Sequence, residues 1–223
     1  MTSNRTILIT GVTGNQGGAV AQALQGSGFN LRGLTRKPDS ERAKALARQG
    51  MDIVKGDLDD EAALRRALTG AWGVYGVQNA GEASVEREEA QGKRLATLAR
   101  ETGIEHYIYT SVGSANKKTG VPHFDSKGRI EETVRRLHFP SHVILRPVFF
   151  MENLLAPYSL QGSTLAIALA PTTKLQMIAV EDIGWFGAHA FKEAATLNRR
   201  EIDIAGDVRT MPEVAKILTE ALG

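Results

Sequence analysis

The chain has 223 residues, of which 42% are hydrophobic and 23% charged; that is enough apolar material to bury a core without staples and too much for a disordered chain. A formal charge of +2, with basic pairs such as Lys117-Lys118, Arg135-Arg136 and Arg199-Arg200 scattered along the sequence, argues against nucleic-acid binding, which needs a single-sign stripe. The lack of cysteine removes disulfides, thiolate metal sites and thiol redox chemistry, and no apolar run approaches the ~20 residues of a membrane helix, so a cytoplasmic protein is expected.

The β-branched run Thr6-Ile7-Leu8-Ile9-Thr10 ends in glycine, as a buried parallel strand should. Residues 18–25 carry Ala19, Val20, Ala23 and Leu24 at helical spacing. A second strand at 30–34 precedes a helix from Pro38-Asp39-Ser40 to Gln49, with Asp39 as its expected cap. A third strand at 51–55 leads to Asp59-Asp60-Glu61, acids placed on the first turn of a helix where its dipole favours them. Strand 73–77, a long polar helix from about 84 to 101, strand 106–110, a helix from about 124 to 137 and strand 142–146 repeat the rhythm. This alternation means βαβ units and an α/β, doubly wound parallel sheet. After Pro147 short strands are expected at 163–168 and 175–179, then a helix at 181–193 and a strand at 201–205. A closing helix follows, opened by a capping box of Thr210 and Glu213. Residues 1–153 thus read as a nucleotide-binding domain and 154–223 as a small α+β lobe that returns one strand to the main sheet.

The first strand runs straight into Gly11-Val12-Thr13-Gly14-Asn15-Gln16-Gly17, and a helix follows. In that context Gly11 permits the tight turn, Gly14 lets the backbone approach a pyrophosphate, and Gly17 lets helix and strand pack closely. This is the fingerprint of a Rossmann-type dinucleotide site. The end of the second strand chooses the cofactor. An NAD site places an acid there, whereas this chain has Thr35-Arg36-Lys37, two cations suited to the 2′-phosphate of NADP(H).

Four stretches resemble the NmrA-like branch of the atypical short-chain dehydrogenases/reductases: Gly-Val-Thr-Gly-Asn-Gln-Gly-Gly at 11–18, Val54-Lys55-Gly56-Asp57-Leu58-Asp59-Asp60, His123-Phe124-Asp125-Ser126-Lys127, and Arg146-Pro147 through Phe150-Met151-Glu152-Asn153. The resemblance runs to about Leu155 and fades towards Gly206. It implies that Thr13, Asn15 and Gln16 act with the glycines on the cofactor. It also implies that Asp57 and Leu58 border the adenine, and that Gln78 and Asn79 line the ribose and nicotinamide side. Lys127 would reach the nicotinamide ribose, with Pro147 and Phe150 closing that end. Read without the family, Asp57 could cap a turn and Phe149-Phe150-Met151 could be core.

Short-chain dehydrogenases work through Tyr-x-x-x-Lys, the lysine lowering the phenol's pKa for proton transfer. Here the spacing survives, but His123 stands where the tyrosine would be; Ser111 or Ser114 would complete the triad. Histidine can act as an acid near neutral pH, although Lys127 beside it would keep it mostly neutral. His138 and His142 are interrupted by Pro140 and do not read as a metal pair. The missing tyrosine favours an NADP(H)-responsive sensor, able to engage a regulatory protein. The lysine and the second lobe leave open an NADPH-dependent reductase of quinones or similar carbonyl compounds.

Overall fold

A computed structural model of the chain describes residues 5–78 and 84–222, with no side-chain detail at position 222. The N-terminal half alternates β1 (Thr6–Ile9), α1 (Asn15–Ala23), β2 (Asn30–Thr35), α2 (Glu41–Arg48), β3 (Asp52–Lys55), α3 (Glu61–Leu68), β4 (Gly73–Gly76), α4 (Val85–Glu101), β5 (His106–Thr110), α5 (Pro122–Arg136) and β6 (Ser141–Pro147). Three of these helices begin as their sequences dictate. Ser40, Asp60 and Ser84 accept hydrogen bonds from the backbone N–H groups of Ala43, Ala63 and Arg87 at the starts of α2, α3 and α4. Asp39, expected as the α2 cap, is exposed, and Ser40 one residue later does its work.

The remainder comprises β7 (Phe149–Phe150), β8 (Leu160–Gln161), β9 (Thr164–Leu165), β10 (Leu175–Ile178), α6 (Val180–Lys192), β11 (Arg200–Ile204), β12 (Asp207–Arg209) and α7 (Met211–Leu222). β11 pairs in parallel with β6 and completes a seven-stranded sheet in the order β11-β6-β5-β4-β1-β2-β3, every pair parallel. Ile7, Leu8 and Ile9 of β1 are fully buried, because helices cover both faces of the sheet. α6 packs against α1 so closely that a Cβ on Gly184 would lie 2.7 Å from the backbone of Ala19. β12, β10 and β7 form a separate three-stranded sheet, covered by a small cluster of Leu154, Met177 and Val214. The strand expected at 163–168 is instead a hairpin of β8 and β9, turned through Gly162 at φ +59°. The capping box holds: Glu213 accepts from both the N–H and the hydroxyl of Thr210, at 2.7 and 2.8 Å. None of the described helices is long and apolar enough to cross a membrane.

An ion network pins α5 to the far edge of the main sheet. Arg146, almost fully buried on β6, grips the buried carboxylate of Glu131 through Nε and Nη2 at 2.8 and 2.6 Å and also bonds Glu201 of β11. Arg135 reaches Glu201 at 2.6 Å and Glu131 at 2.8 Å. Hydrogen bonds from Arg135 and Arg146 hold the Glu201 carboxyl down at about 2. At the opposite end of the strands His106 is fully buried; its Nε2 donates to the Ala190 carbonyl at 3.0 Å and its Nδ1 lies 2.8 Å from the Ser141 hydroxyl. Burial pushes its pKa from 6.5 down to about 4.

Both shifts have the same consequence. Between pH 6.5 and 4 the unfolded chain takes up a proton at His106 that the folded chain refuses, so stability falls as pH falls. Below about 4.5 protonation of Glu201 in the unfolded chain adds to the loss, down to about 2. Urea denaturation at pH 7.5 and pH 4.5 should show a decline, of which His106 accounts for up to about 3 kcal/mol. In His106→Gln the decline should be shallower; equal slopes in variant and wild type would contradict the assignment.

Candidate functional site

The sheet order changes direction at β1, whose connections lead away to β2 on one side while β4 lies on the other. At such a switch point the carboxyl ends of the strands leave a crevice. Thr10 ties its two lips: its hydroxyl donates to the Val77 carbonyl at 3.0 Å and accepts from the Val77 N–H at 2.8 Å. The chain then turns through Gly11 at φ +59°, where a Cβ would also strike Val77 Cγ1 at 2.8 Å. Gly14 sits at the N-cap position of α1 with its N–H bonded to the Gly11 carbonyl at 2.9 Å. Among the described residues no side chain caps α1, which leaves its first N–H groups unpaired at the edge of the crevice, where an anion could be held. Gly17 sets how close the helix comes, since a Cβ there would lie 2.4 Å from the Gly11 carbonyl oxygen. Gln16 fastens α1 across to β5, accepting from the Thr110 hydroxyl at 2.7 Å.

The crevice opens into a cleft of about 830 Å³ whose lining includes Gly11, Thr13, Gly14, Asn15, Gln16 and Gly17. At one end the lining continues through Thr35, Arg36, Lys37, Ser40 and Arg42. The Lys37 N–H donates to the Thr35 hydroxyl at 3.2 Å, and Arg42 Nη1 reaches back to the Thr13 carbonyl at 2.9 Å. Glu41 also lines this end, with its carboxylate on Lys44 at 3.2 Å. Gly56, Asp57 and Leu58 form the floor. Asp57 shapes its own loop as well, accepting from the Asp59 N–H at 3.0 Å. Beside them α4 contributes Arg87 and Gln91 to the lining. Both are held by Asp59, at 2.6 and 3.0 Å.

At the other end the lining is Val77, Gln78, Phe150 and Asn153. Gln78 is 5% exposed, and neither its amide oxygen nor its nitrogen has a hydrogen-bond partner among the described residues. This end of the cleft therefore presents an amide whose donors and acceptor are free, among the described residues, to meet a polar group. Phe150 and Asn153 are brought to the cleft by β7 and the 3-10 turn after it. That turn is pinned where Glu152 accepts from the Val180 N–H at the start of α6, at 2.8 Å. Asn79 lies outside the described residues.

The remaining candidates stand apart from this lining. His123 and Lys127 do fall one turn apart on α5, but His123 is exposed, its ring 4.3 Å from that of Phe124. The Lys127 ammonium lies 2.8 Å from the carboxylate of Glu88, on the neighbouring helix α4. Ser111 is buried, and its hydroxyl has no hydrogen-bond partner among the described residues; Ser114 sits at φ +70° in the loop after β5. Pro147 is buried at the end of β6, its carbonyl accepting from the Gly113 N–H at 2.9 Å. The glycine turn, Arg36, Lys37, Asp57, Leu58, Gln78 and Phe150 are therefore gathered into one cleft, and Lys127, His123, Ser111 and Pro147 do not line it.

Sequence reasoning did not single out Arg42, Arg87 or Gln91. Arg87 and Gln91 are a turn apart on a helix with many charges, where two polar residues read as a solvated face. The arrangement has the chemistry for an elongated dinucleotide: a diphosphate at the α1 N-terminus, an anionic group among Arg36, Lys37 and Arg42, and a polar head group at Gln78.

The sequence profile of the NmrA-like family matches residues 3–223. Among curated proteins, the NmrA-like family domain-containing oxidoreductase himF of Aspergillus japonicus is 32% identical over 160 residues, 68% of this chain but 48% of that protein. An NmrA-like family domain-containing protein of Dictyostelium discoideum is 26% identical over 235 residues, 97% of this chain and 77% of its own length. The chain thus spans about half of the Aspergillus oxidoreductase. Among solved structures, the NADPH-dependent quinone oxidoreductase QOR2 of Escherichia coli, complexed with NADPH, matches with a TM-score of 0.81 and 26% identity, over 97% of this chain and 75% of that one. The negative transcriptional regulator NmrA, in complex with NADP, matches with a TM-score of 0.85 and 21% identity, over 98% of this chain and 72% of that one.

Proposed function

The chain belongs to the NmrA-like family, and from that premise we propose that it binds NADP(H) in the crevice between β1 and β4 and acts as a sensor of that cofactor. The observation that carries the cofactor reading is the position of Arg36 at the end of β2, on the cleft wall beside Lys37 and Arg42. There a 2′-phosphate meets several positive charges and the hydroxyl of Ser40, whereas NAD would present only a ribose hydroxyl. The α1 N-terminus and the turn at Gly14 take the pyrophosphate, Asp57 and Leu58 border the adenine, and Gln78, Asn79 and Phe150 serve the nicotinamide end. NmrA and QOR2, which share this fold, are described as complexes with NADP and NADPH.

The sensor reading is supported by what surrounds the nicotinamide end. His123 stands where the relay's tyrosine would be and is exposed, outside the residues that line the cleft, and Lys127 is paired with Glu88, which supports a cofactor-binding role without a proton relay. A protein that binds the cofactor without a relay can report its presence or redox state to a regulatory protein, provided the two cofactor forms favour different conformations. A second reading is favoured by the 26% identity to a quinone oxidoreductase and by the oxidoreductase relatives. When bound, NADPH supplies a hydride, and a quinone that accepts one becomes an oxygen anion that water can protonate. A reductase of quinone-like compounds therefore needs this cleft and no acid from the chain.

Calorimetric titration should give NADP(H) a lower Kd than NAD(H) by roughly ten- to a hundred-fold, the worth of one or two charge-assisted hydrogen bonds. Arg36→Ala should erase most of that preference. Equal affinities in the wild type, or an undiminished preference in the variant, would count against the 2′-phosphate assignment. NADPH oxidation followed across a panel of quinones separates the two readings. The sensor should show no quinone-dependent oxidation above background, whereas sustained turnover would replace the sensor with the reductase.

A further inference from the structure

Asp59 stands in the loop between β3 and α3, directly after Asp57 and Leu58 on the cleft floor, and its carboxylate gathers three donors from α4. One oxygen accepts from Arg87 Nε at 2.6 Å and from Gln91 Nε2 at 3.0 Å. The other accepts from Arg94 Nη1 at 3.0 Å, and the same Nη1 reaches the Leu58 carbonyl at 2.8 Å. The backbone of Arg87 is fixed as well, since Ser84 accepts its N–H at the start of the helix. A single exposed ion pair would leave a long side chain much of its freedom. Here the donors converge on one carboxylate, and two of them, Arg87 and Gln91, belong to residues that line the cleft.

The charges in this part of the cleft cancel. Arg87 and Arg94 stand against Asp57 and Asp59, with Asp57 close enough to act electrostatically on Arg87. Beside β2, by contrast, Arg36, Lys37 and Arg42 outnumber Glu41 in the lining. A phosphate is drawn to that second group, and gains less from a guanidinium already engaged by a carboxylate. What Arg87 keeps is its shape. A guanidinium is flat, delocalised and weakly hydrated, and it stacks on aromatic rings and nucleobases. Held through Nε beside the Asp57-Leu58 floor, it suits a purine better than an anion.

We propose that Arg87 is a further contact for the adenine of NADP(H), its guanidinium plane laid against the base, and that Asp59 is the positioning residue that keeps it there. The proposal rests on reading the cleft as an NADP(H) site. It divides the adenosine half of the cofactor between two groups. Arg36, Lys37 and Arg42 recognise the 2′-phosphate, while Arg87 adds affinity for the base whether or not that phosphate is present.

Calorimetric titration with NADPH, NADH and 2′,5′-ADP tests that division, because all three carry adenine and NADH alone lacks the 2′-phosphate. Arg87→Ala should weaken all three by the same factor, about tenfold, and leave the preference for NADPH over NADH as it is in the wild type. Arg87→Lys, which keeps the charge and loses the plane, should be equally weak. Asp59→Asn should show the same uniform loss and add nothing to it in the Arg87→Ala background, because it acts through the arginine. A loss confined to NADPH and 2′,5′-ADP, or full recovery in Arg87→Lys, would overturn the proposal, since Arg87 would then be reading a phosphate by its charge. So would unchanged affinities in Arg87→Ala. Additive losses in the double variant would overturn the positioning role of Asp59. Should Asp59→Asn not fold, the variants of the half-exposed Arg87 still decide the contact. Failure of the wild-type chain to bind any of the three ligands would overturn the NADP(H) reading itself, and is distinct from a uniform loss seen only in the variants.

Discussion

The architecture of the cleft depends on how closely α1 can approach the turn that precedes it. With a Cβ-to-oxygen distance of 2.4 Å waiting at Gly17, any side chain there would push the helix away from the Gly11 carbonyl. Because nothing stands there, α1 begins directly at the end of β1 with its N-terminus aimed across the crevice, and Thr10 keeps β1 and β4 in register at that edge. The macrodipole and the uncapped N–H groups then define where an anion can rest. The second strand and α4 supply the walls on either side of that point.

This placement propagates into the rest of the chain. α1 is also the surface on which α6 packs, at Gly184 against Ala19, and the N-terminus of α6 is where Glu152 anchors the turn that presents Phe150 and Asn153. The C-terminal part is thus mechanically continuous with the glycine turn through α1 and α6, and β11 adds to the main sheet beside β6. α5 is held at two places: by the network in which the buried pair Arg146–Glu131 is joined to the more exposed Arg135 and Glu201 towards its C-terminus, and by the Lys127–Glu88 pair nearer its start. Each buried charge in these groups has a partner of opposite sign, the condition under which ions are retained in an interior.

The sequence was most readable where period and punctuation agree. The runs at β1 and β5 are apolar and bounded, and the helices are opened by residues such as Ser84 and Asp60, so strand and helix order follow from the residues. The glycine turn and the Arg36-Lys37 pair are legible for the same reason, since local backbone and charge requirements fix them. β7 and β12 were not, because two or three residues carry no periodicity and their pairing with β10 comes from distant parts of the chain. Glu88 illustrates the limit best. In a helix reading Glu-Arg-Glu-Glu it looks like one of several solvated acids, and only the crossing of α4 and α5 makes it buried. The Tyr-x-x-x-Lys spacing set His123 and Lys127 one turn apart, but it carried no sign that His123 would be exposed or that Lys127 would pair with Glu88.

A dinucleotide laid across the α1 N-terminus between β1 and β4 would shield the amides it covers. Amide hydrogen exchange of the whole chain, with and without saturating NADPH, should therefore slow in the turn at residues 11–17 and in the basic stretch at residues 36–42 when the cofactor is present. Bound NADPH that left both stretches unchanged while protecting amides elsewhere would contradict that placement.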